Sequence, residues 1–394
     1  MANESPSKPM YEKIFDALRE RIEDKQYKVG QRVPSEKELG EEYNVSRITS
    51  KKALELLANE GYIIRQPGRG SFVAEGQRTA GVTGNVSGVG SGTGAGAYNR
   101  RKTSKLLVGL IITDFGDSYG MGLVYGMEEA SRKADSYLVI RRTFGIPALE
   151  EEAIQGMLEL GVDGLIIFPA QGEYFNPEIL KLVIGRFPFV LVDRHLKGIS
   201  AGSISTDNVA AAKRGTEYLF ELGHQHIAFV TPPPADTTAI EDRIEGFIQA
   251  HAEQGIAIDR ELWIEDILST LPSANTEENK QQDIEKIKRR LKENPHITGI
   301  FATEYNIAVL AQKAVKQLGL SIPEDISLIS FDSPETNGYF PLTHLKQNQE
   351  EMGRLAFEHV LKLREGETVP GKIMLDASLI ISQSTGPAKT TGRS

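Results

Sequence analysis

The sequence contains no cysteine among its 394 residues. This absence excludes disulfide bonds, thiolate metal sites and cysteine nucleophiles. No apolar run reaches the roughly 18 residues that a transmembrane helix needs, and the first residues lack the apolar core of a signal peptide. We therefore expect a cytoplasmic protein with no membrane partner. Its length favours two or three domains over a single one.

Motifs that indicate cofactor or metal chemistry are also missing. There is no Walker sequence, zinc motif or dinucleotide fingerprint, so neither a cofactor nor a metal is predicted. Residues 198–202 match G-x-S-x-G, but a nucleophile elbow needs a helix directly after it, and residues 203–206 have the pattern of a strand. His224 and His226 form a pair without a third ligand placed near them. We expect a protein that is not an enzyme.

Acidic residues are absent between Glu75 and Asp114, a stretch that carries five basic residues. The net charge of the whole chain is −9, which by itself argues against a nucleic-acid partner. Residues 1–75, however, have a net charge of zero, and residues 106–394 carry −14. The acidic excess therefore belongs to the second part of the chain and does not exclude DNA binding by the first.

A glycine-rich stretch separates these two parts. Eight of the 22 residues from 76 to 97 are glycine, and such a composition buries too little apolar surface to offset the entropy of ordering. A phosphate-binding loop is the alternative, although the glycines do not fit G-x-G-x-x-G and no strand precedes them. We predict a head over residues 1–75, a flexible linker over 76–105, a body over 106–384 and a disordered tail over 385–394.

The head has the pattern of three helices followed by a hairpin. Apolar residues recur at helical spacing over residues 11–24. Ser35 with Glu38 forms a capping box that starts a second helix, and Ser46 caps a third. Two short strands within residues 62–73 are joined by a turn containing Pro-Gly-Arg-Gly. This order of elements predicts a winged helix-turn-helix.

The third helix is the predicted recognition helix, whose first turn reaches base edges in the major groove. That turn carries Arg47, and its forked guanidinium suits guanine or phosphate. The hydroxyl groups beside it suit phosphates or base edges, and the lysines suit phosphates. The hairpin tip brings an arginine close to the DNA backbone or into the minor groove. The predicted DNA-contacting set from these two segments is Ser46, Arg47, Thr49, Lys51, Lys52, Gln66, Gly68, Arg69 and Gly70. The alternative interpretation is a solvated helix face without a partner.

Four runs of the head resemble the GntR-type DNA-binding domain. They are Gly-Gln-Arg-Val-Pro-Ser-Glu-Lys-Glu-Leu from residue 30, Tyr-Asn-Val-Ser-Arg from residue 43, Ala-Leu-Glu-Leu-Leu-Ala-Asn-Glu-Gly from residue 53 and Gln-Pro-Gly-Arg-Gly-Ser-Phe-Val from residue 66. The resemblance implies that Lys37, Arg47 and Lys51 contact DNA and that the wing glycines approach the minor groove. Ile48 and Ser50 depart from the pattern of the family, which leaves the operator sequence open.

The body alternates apolar strands with amphipathic helices. Strands are predicted over residues 106–113, 137–142, 162–169, 189–193, 227–231, 300–303 and 328–332, and helices over 148–160, 209–222, 283–293 and 307–318. Continuous apolar strands are typical of parallel sheets that are buried on both faces. The pattern predicts a doubly wound α/β body of two lobes with a cleft between them. We assign residues 106–206 and 346–370 to lobe 1, and residues 207–345 and 371–384 to lobe 2.

The body resembles the LacI/periplasmic sugar-binding fold in runs spread along its whole length. Among them are Val-Gly-Leu-Ile from residue 108, Gly-Val-Asp-Gly-Leu-Ile-Ile from residue 161, Pro-Phe-Val-Leu-Val-Asp-Arg from residue 188 and Ile-Pro-Glu-Asp-Ile-Ser-Leu-Ile-Ser-Phe-Asp from residue 322. Joined to a GntR-type head, this body is most similar to the arabinose repressor subgroup of Gram-positive bacteria. By family position, the residues that would bind a sugar are Tyr119, Asp193, Arg243, Asp332 and Gln347.

The residue types at these positions fit a sugar. Adjacent sugar hydroxyls donate and accept hydrogen bonds, so their site needs carboxylates and a forked arginine. Asp193 and Asp332 end predicted strands, where open α/β sheets bind ligands, and Arg243 is expected to begin a helix. Asp114 is a further candidate. Glu304 and the residue after it replace an Asn-Asp pair of the family, which leaves the identity of the sugar open. The alternative role for each aspartate is a helix cap or a loop turn.

Together these features predict a homodimeric transcriptional regulator. The expected function is repression of carbohydrate-utilisation genes, with release from a near-palindromic operator by a small sugar such as L-arabinose or another pentose. The alternative is a sugar-binding or sugar-modifying protein whose head is a protein-interaction module. A gel shift separates the two, because only the regulator binds upstream DNA in a salt-sensitive manner.

Overall fold

The computed structural model describes residues 10–59, 62–66, 70–74, 105–170, 176–199, 201–234 and 237–389. The chain divides into two compact units, Met1–Tyr98 and Asn99–Ser394, and each is described by itself. The predicted linker lies outside the described residues except for Lys105, which forms an ion pair with Asp135.

The first unit folds as three helices and a two-stranded hairpin. Its elements are α1 Met10–Glu23, α2 Glu36–Glu42, α3 Arg47–Asn59, β1 Ile63–Gln66 and β2 Gly70–Val73. The predicted capping box is present. The Ser35 hydroxyl oxygen accepts from the Glu38 N–H at 3.3 Å, and the Glu38 carboxylate accepts from the Ser35 N–H at 2.6 Å. The predicted winged helix-turn-helix is confirmed.

The three helices of the first unit enclose a small apolar core. The side chains of Ile14, Leu18, Leu39, Leu54 and Leu57 are each at most 1% exposed. On α3 the buried positions recur at intervals of three and four residues, which is the spacing of one helix face. The opposite face of α3 is therefore left to solvent.

The second unit contains two sheets with helices on their faces. It begins with β3 Leu107–Ile112, α4 Met121–Lys133, β4 Tyr137–Arg142, α5 Pro147–Leu160, β5 Gly164–Ile167, α6 Pro177–Ile184, β6 Phe189–Val192 and β7 Gly202–Thr206. It continues with α7 Asn208–Glu221, β8 Ile227–Val230, α8 Thr238–Gln254, a 3₁₀ turn Arg260–Leu262, α9 Glu277–Glu293, β9 Gly299–Ala302, α10 Tyr305–Gln317, β10 Ser327–Phe331 and β11 Thr343–Lys346. It ends with α11 Gln349–Arg364, β12 Lys372–Leu375 and β13 Ser378–Ile380. Within the described ranges, every helix is too short or too polar to cross a membrane.

Strand pairing defines the two lobes. Lobe 1 contains an all-parallel sheet with the strand order β12-β7-β6-β5-β3-β4. Lobe 2 contains the sheet β13-β11-β10-β9-β8, which is parallel except for the edge strand β13. The chain crosses between the lobes at residues 206–208, 346–349 and 375–378. The predicted doubly wound α/β architecture is confirmed.

The central strands are buried on both faces, as their continuous apolar runs predict. In β3, Leu110 belongs to the core that includes α4 and α11, whereas the next residue, Ile111, belongs to the core that includes α5 and α6. In lobe 2, Ile300 and Phe301 of β9 divide between two cores in the same way. Each sheet is therefore covered by helices on both sides, and its strand ends are the places left for a ligand.

The lobe boundary near the end of the chain differs from the prediction. The sequence assigns residues 371–384 to lobe 2, but Lys372–Leu375 form the edge strand of the lobe 1 sheet, paired in parallel with β7. The chain enters the lobe 2 sheet only with β13. A strand of four residues can pair with any sheet edge that lies close to it. Here that edge is β7, which is far away in the sequence, so the composition of residues 372–375 does not identify the partner.

The predicted disordered tail is wrong for residues 385–389. The Ala388 N–H donates to the Leu222 carbonyl at 2.8 Å. His224 contacts the Gly386 carbonyl through Nε2 at 3.0 Å and the Thr298 hydroxyl through Nδ1 at 2.9 Å. The backbone groups of the tail thus find partners on lobe 2, and His224 has a structural role. Residues 390–394 lie outside the described part of the chain.

Candidate DNA-binding surface and effector cleft

Two predicted DNA-contacting residues lie one turn apart on the exposed face of α3. The side chains of Arg47 and Lys51 are 81% and 56% exposed, whereas Ser50, which lies between them in sequence, is buried. Residues spaced by four lie side by side along a helix. Lys37 on α2, which the resemblance added to the set, is exposed as well. All three cations are exposed to solvent, as a contact with a phosphate or a base edge requires.

A carboxylate on α2 orients Arg47. Its Nε donates to Glu36 Oε2 at 3.1 Å. Such an exposed ion pair adds at most about 1 kcal/mol to stability, so its main effect is on the direction of the side chain. Within the described part of the chain, the terminal nitrogens of Arg47 make no hydrogen bond, and they are the atoms that a bidentate contact to guanine or phosphate uses.

Three other predicted residues contact the head itself. The Ser46 hydroxyl oxygen accepts from the Thr49 N–H at 3.2 Å and lies 2.9 Å from the Thr49 hydroxyl oxygen, so Ser46 caps α3 as expected. Lys52 Nζ lies 3.9 Å from the centre of the Tyr11 ring on α1, a cation–π contact. Arg47 and Lys51 also have partners within the head, Glu36 at 3.1 Å and Glu55 at 3.8 Å.

The wing is described only in part. Gln66 and Gly70 pair across the hairpin, and the predicted residues Gly68 and Arg69 lie outside the described residues. Gly70 has a φ of 111°, a conformation that favours glycine, and a Cβ added there would lie 2.9 Å from Arg32 Nε. The conformation of the hairpin therefore explains why residue 70 is glycine, without any contact to DNA.

In the second unit, the residues predicted to bind the effector surround one cleft of about 220 Å³. Lobe 1 contributes Asp114, Tyr119 and Asp193, lobe 2 contributes Arg243, Glu304 and Asp332, and a crossing segment contributes Gln347. Because one aspartate follows β6 and another follows β10, both sheets direct their carboxyl ends to the cleft. Ligands of open α/β sheets bind at this end.

The two strand-end aspartates share an uncommon backbone conformation. Asp193 has a φ of 72° and Asp332 a φ of 54°, in the left-handed region that aspartate tolerates better than most residues. Each residue turns the chain sharply where a buried strand ends. Neither aspartate is the N-cap of a helix, so the helix-cap alternative does not apply to them. Each forms a turn, as the other alternative expects, and also lines the cleft.

The carboxylate of Asp193 is the centre of a network in lobe 1. It accepts from the Tyr119 hydroxyl on Oδ1 and from Arg194 Nε on Oδ2, the latter at 3.3 Å. The rings of Phe168 and Tyr119 pack edge to face, with their centres 6.3 Å apart. The Arg194 guanidinium lies 4.8 Å from the centre of the Phe168 ring. Burial, reinforced by the charge of Asp193, raises the pKa of Tyr119 well above its ordinary value, so the phenol stays protonated.

Arg243 is held at three points in lobe 2. Nε donates to Asn208 Oδ1 at 2.9 Å, Nη1 donates to the Thr303 carbonyl at 2.6 Å, and the guanidinium lies 3.8 Å from the centre of the Phe331 ring. The expectation that Arg243 begins a helix is wrong. Helix α8 begins at Thr238, and its first turn buries Ala239 and Ile240. Arg243 therefore lies in the second turn of the helix.

A chain of hydrogen bonds joins Asp332 to two of the crossing segments. Gln347 Nε2 donates to Asp332 Oδ2 at 2.6 Å, and the Thr206 hydroxyl donates to Gln347 Oε1 at 2.7 Å. Burial raises the pKa of Asp332 to about 6, although the bond from Gln347 and the charge of Arg243 oppose that shift. The carboxyl group can therefore accept or donate a proton near neutral pH.

The remaining two candidates lie at different depths. Glu304 is the N-cap residue of α10, but its side chain makes no capping hydrogen bond to the helix. Burial raises the pKa of its carboxyl group, against the charges of Arg243 and Arg194. Asp114 is exposed at the rim, where Oδ1 accepts from the Phe115 N–H at 2.9 Å and from Arg142 at 3.0 Å. Asp114 therefore stabilises a turn and also lines the cleft.

Sequence reasoning missed several lining residues. Phe168, Arg194, Thr237 and Phe331 all border the cleft. Arg194 Nη1 and Thr237 Oγ1 are buried and have no hydrogen-bond partner among the described residues, which leaves both as donors for a ligand. Arg194 and Phe331 each adjoin a strand-end aspartate, and that adjacency is the signal that could have identified them.

Comparison with known proteins identifies both units. Residues 10–73 match bacterial regulatory proteins of the gntR family, and residues 216–385 match the periplasmic binding protein-like domain. The arabinose metabolism transcriptional repressor of Halalkalibacterium halodurans is 26% identical, over 91% of this chain and 92% of its own length. The repressor of the same name from Geobacillus stearothermophilus is also 26% identical, over 96% and 98%.

Among solved structures, the transcription regulator CcpA of Lactococcus lactis has a TM-score of 0.61 with 24% identity, and covers 71% of this chain and 99% of its own. That likeness concerns the fold. The chain is a transcriptional regulator that joins a GntR-family DNA-binding head to a periplasmic-binding-protein-like body.

Proposed function

We propose that this regulator represses carbohydrate-utilisation genes in the cytoplasm as a homodimer, and that a small sugar releases it from operator DNA. The observation that carries the proposal is the cleft, where carboxylates, guanidinium groups and aromatic rings from both lobes border one space. The two relatives named as arabinose repressors, which match along nearly the whole chain, support the choice of carbohydrate genes.

The chemistry of the cleft favours a neutral ligand with many hydroxyl groups. Carboxylates such as Asp193 and Asp332 accept hydrogen bonds from hydroxyls, while Arg194 and Arg243 donate to them. Aromatic rings beside these groups suit the apolar faces of a sugar ring. Four carboxylates and two guanidinium groups line the cleft, so a phosphate would meet an excess of negative charge. L-Arabinose or another pentose is the expected ligand.

The position of the cleft suggests how the sugar controls DNA binding. A ligand that contacts both lobes favours the arrangement in which the lobes are closed upon it. In our proposal, closure changes the spacing of the two heads of the dimer so that they no longer fit both half-sites of the operator. Couplings of this kind are typically about 1–3 kcal/mol, or roughly 5–150-fold in affinity.

Two experiments test the proposal. A thermal-shift screen of pentoses, hexoses and their phosphates identifies the ligand, and we expect a neutral pentose to give the largest rise in Tm. A gel shift with DNA from upstream of the gene should show salt-sensitive binding that this sugar reverses. Stabilisation by phosphates alone would contradict the neutral ligand. Sugar binding without any DNA binding would replace the regulator with a sugar-binding or sugar-modifying protein.

A further inference from the structure

The first residue of α11 contacts the loop that carries Tyr119. Gln349 Oε1 accepts from the Gly120 N–H at 2.8 Å, and Gln349 Nε2 donates to the Ser118 carbonyl at 3.4 Å. The two bonds reach the backbone on either side of Tyr119. A single side-chain amide from α11 thus holds the peptide groups that flank a cleft residue of lobe 1.

Other contacts hold the start of the loop and its tyrosine side chain: Asp114 accepts from the Phe115 N–H and from Arg142, and the Tyr119 hydroxyl donates to Asp193. Gly120 precedes α4 with a φ of 92°, and it has no side chain with which to cap the helix. Within the loop, the Gly116 N–H donates to the Tyr119 carbonyl at 2.8 Å. The amide of Gln349 therefore satisfies the N–H of the N-cap residue itself, the bond that the third helical residue accepts in a capping box.

A glycine on α4 makes room for this contact. A Cβ added at Gly122 would lie 2.8 Å from the Cβ of Gln349 and 3.2 Å from its Oε1. Glycine inside a helix costs roughly 1 kcal/mol relative to alanine. The glycine therefore leaves room for Gln349, as Gly126 on the same helix leaves room for the Glu350 carbonyl, from which an added Cβ would lie 1.9 Å.

The same crossing segment also holds the opposite lobe. Gln347 bonds to Asp332 at 2.6 Å, and the Gln349 N–H donates to the Gln347 carbonyl at 2.9 Å. The segment from Gln347 to Gln349, which follows β11 and includes the first residue of α11, therefore connects a cleft aspartate of lobe 2 with the Tyr119 loop of lobe 1. A change of angle between the lobes acts on both at once.

We infer that Gln349 is a positioning residue for effector binding, which fixes the Tyr119 loop so that the phenol reaches Asp193 before the ligand arrives. A preformed loop spares the ligand the cost of ordering it. The inference rests on the proposed function only for the identity of the sugar, since the contacts of the loop are made by residues of this chain.

Hydrogen exchange of the ligand-free protein is the first test. In Gln349→Leu, which keeps the size and removes both bonds, the peptide covering residues 114–124 should exchange faster than in the wild type. Gly122→Ala should have the same effect although alanine favours the helix. Gln249→Leu is the matched control, because the Gln249 amide bonds only to Glu245 on its own helix among the described residues. Unchanged exchange in Gln349→Leu overturns the inference.

Calorimetry with L-arabinose is the second test. We expect Gln349→Leu to bind it about tenfold more weakly than the wild type, the loss expected from two modest hydrogen bonds. When Tyr119→Phe is already present, adding Gln349→Leu should reduce the L-arabinose affinity by a smaller factor. Tyr119→Phe has then already removed the hydrogen bond to Asp193 that Gln349 supports. Equal losses in both backgrounds overturn the role through Tyr119.

The two tests separate this inference from the proposed function. Failure of the wild type to bind L-arabinose would contradict the proposed pentose ligand, while the exchange experiment would still decide the role of Gln349. Faster exchange with unchanged L-arabinose affinity would show that the contact orders the loop without affecting the ligand, and would overturn the inference.

Discussion

Arg47 and Arg19 are both arginines on the surface of the head, but they differ in their surroundings. Arg19 lies on α1 between Asp16 and Glu23, whereas Arg47 lies at the start of the recognition helix. We expect Arg47→Gln to weaken operator binding by about 1–3 kcal/mol, since a bidentate contact to guanine has that value. Arg19→Gln, the matched control, should have little effect. Fluorescence anisotropy with labelled operator DNA measures both.

The same variant tests the division of labour between the two units. Sugar affinity of Arg47→Gln, measured by calorimetry, should equal that of the wild type, because the cleft lies entirely within the second unit. A joint loss of DNA binding and sugar binding would mean that Arg47 supports the whole molecule rather than DNA recognition alone.

The carboxyl group of Asp332 makes stability depend on pH. Its pKa is raised from 3.8 to about 6 in the folded protein, so the folded state binds this proton more tightly than the unfolded chain. Stability is therefore lost as the pH rises from about 4 to 6, by roughly 3 kcal/mol in total. We expect Asp332→Asn, which cannot ionise, to gain stability over the wild type as the pH increases.

Urea unfolding at about pH 4.5 and about pH 7.5 measures this effect. The difference in unfolding free energy between Asp332→Asn and the wild type should be larger at the higher pH. Asp207→Asn is a suitable control, because Asp207 caps α7 through a bond from the Ala210 N–H at 2.9 Å and asparagine caps equally well. A difference for Asp332→Asn that is independent of pH would contradict the expected titration.

At the scale of elements, those formed by local sequence were predictable and those formed by distant partners were not. The capping box at Ser35 and the apolar strands depend on residues a few positions apart. Strand β12 depends on the open edge of β7, and the ordered residues 385–389 depend on a loop of lobe 2. Neither dependence leaves a trace in the nearby sequence.

The cleft shows the same limit. Asp193 and Asp332 could be predicted because carboxylates at strand ends suit a ligand in this type of fold. Arg194 and Phe331 were missed, because the left-handed turns at the aspartates decide which neighbouring side chains face the cleft. Aromatic residues at strand ends are also common in cores, so their type alone does not indicate a site.

Among the described strands, β4 lies at an edge of the lobe 1 sheet, and this edge suits the proposed homodimer. It is the last strand of the lobe 1 sheet, and its side chains Tyr137 and Ile140 are 49% and 38% exposed. Exposed apolar edge strands tend to pair with another chain. We expect Ile140→Asp to convert the dimer into monomers and to weaken DNA binding, because a monomer contacts only one half-site.

Analytical ultracentrifugation tests this expectation. Ile184→Asp is the matched control, since Ile184 on α6 is 83% exposed and belongs to a different surface element. Ile184→Asp should leave the sedimentation of the protein unchanged. A dimer that persists in Ile140→Asp would place the interface elsewhere.

At the scale of the whole molecule, the distribution of charge matters more than its sum. The net charge of −9 conceals a neutral head and a body of −14. The head presents Arg47 and Lys51 on one exposed helix face, so DNA binding needs no excess of positive charge elsewhere in the chain. Its salt dependence should follow the number of phosphates that the cations of the two heads neutralise.

A sugar can change the affinity for operator DNA only if it binds one arrangement of the body more tightly than another. The most direct test is the dissociation constant for operator DNA, measured with and without a saturating concentration of the sugar found in the thermal-shift screen. We predict that the sugar raises this constant by about 5–150-fold for the wild type and leaves it unchanged for Asp193→Asn, which lacks a cleft carboxylate. A sugar that binds the wild type tightly without altering its affinity for DNA would contradict the proposed release.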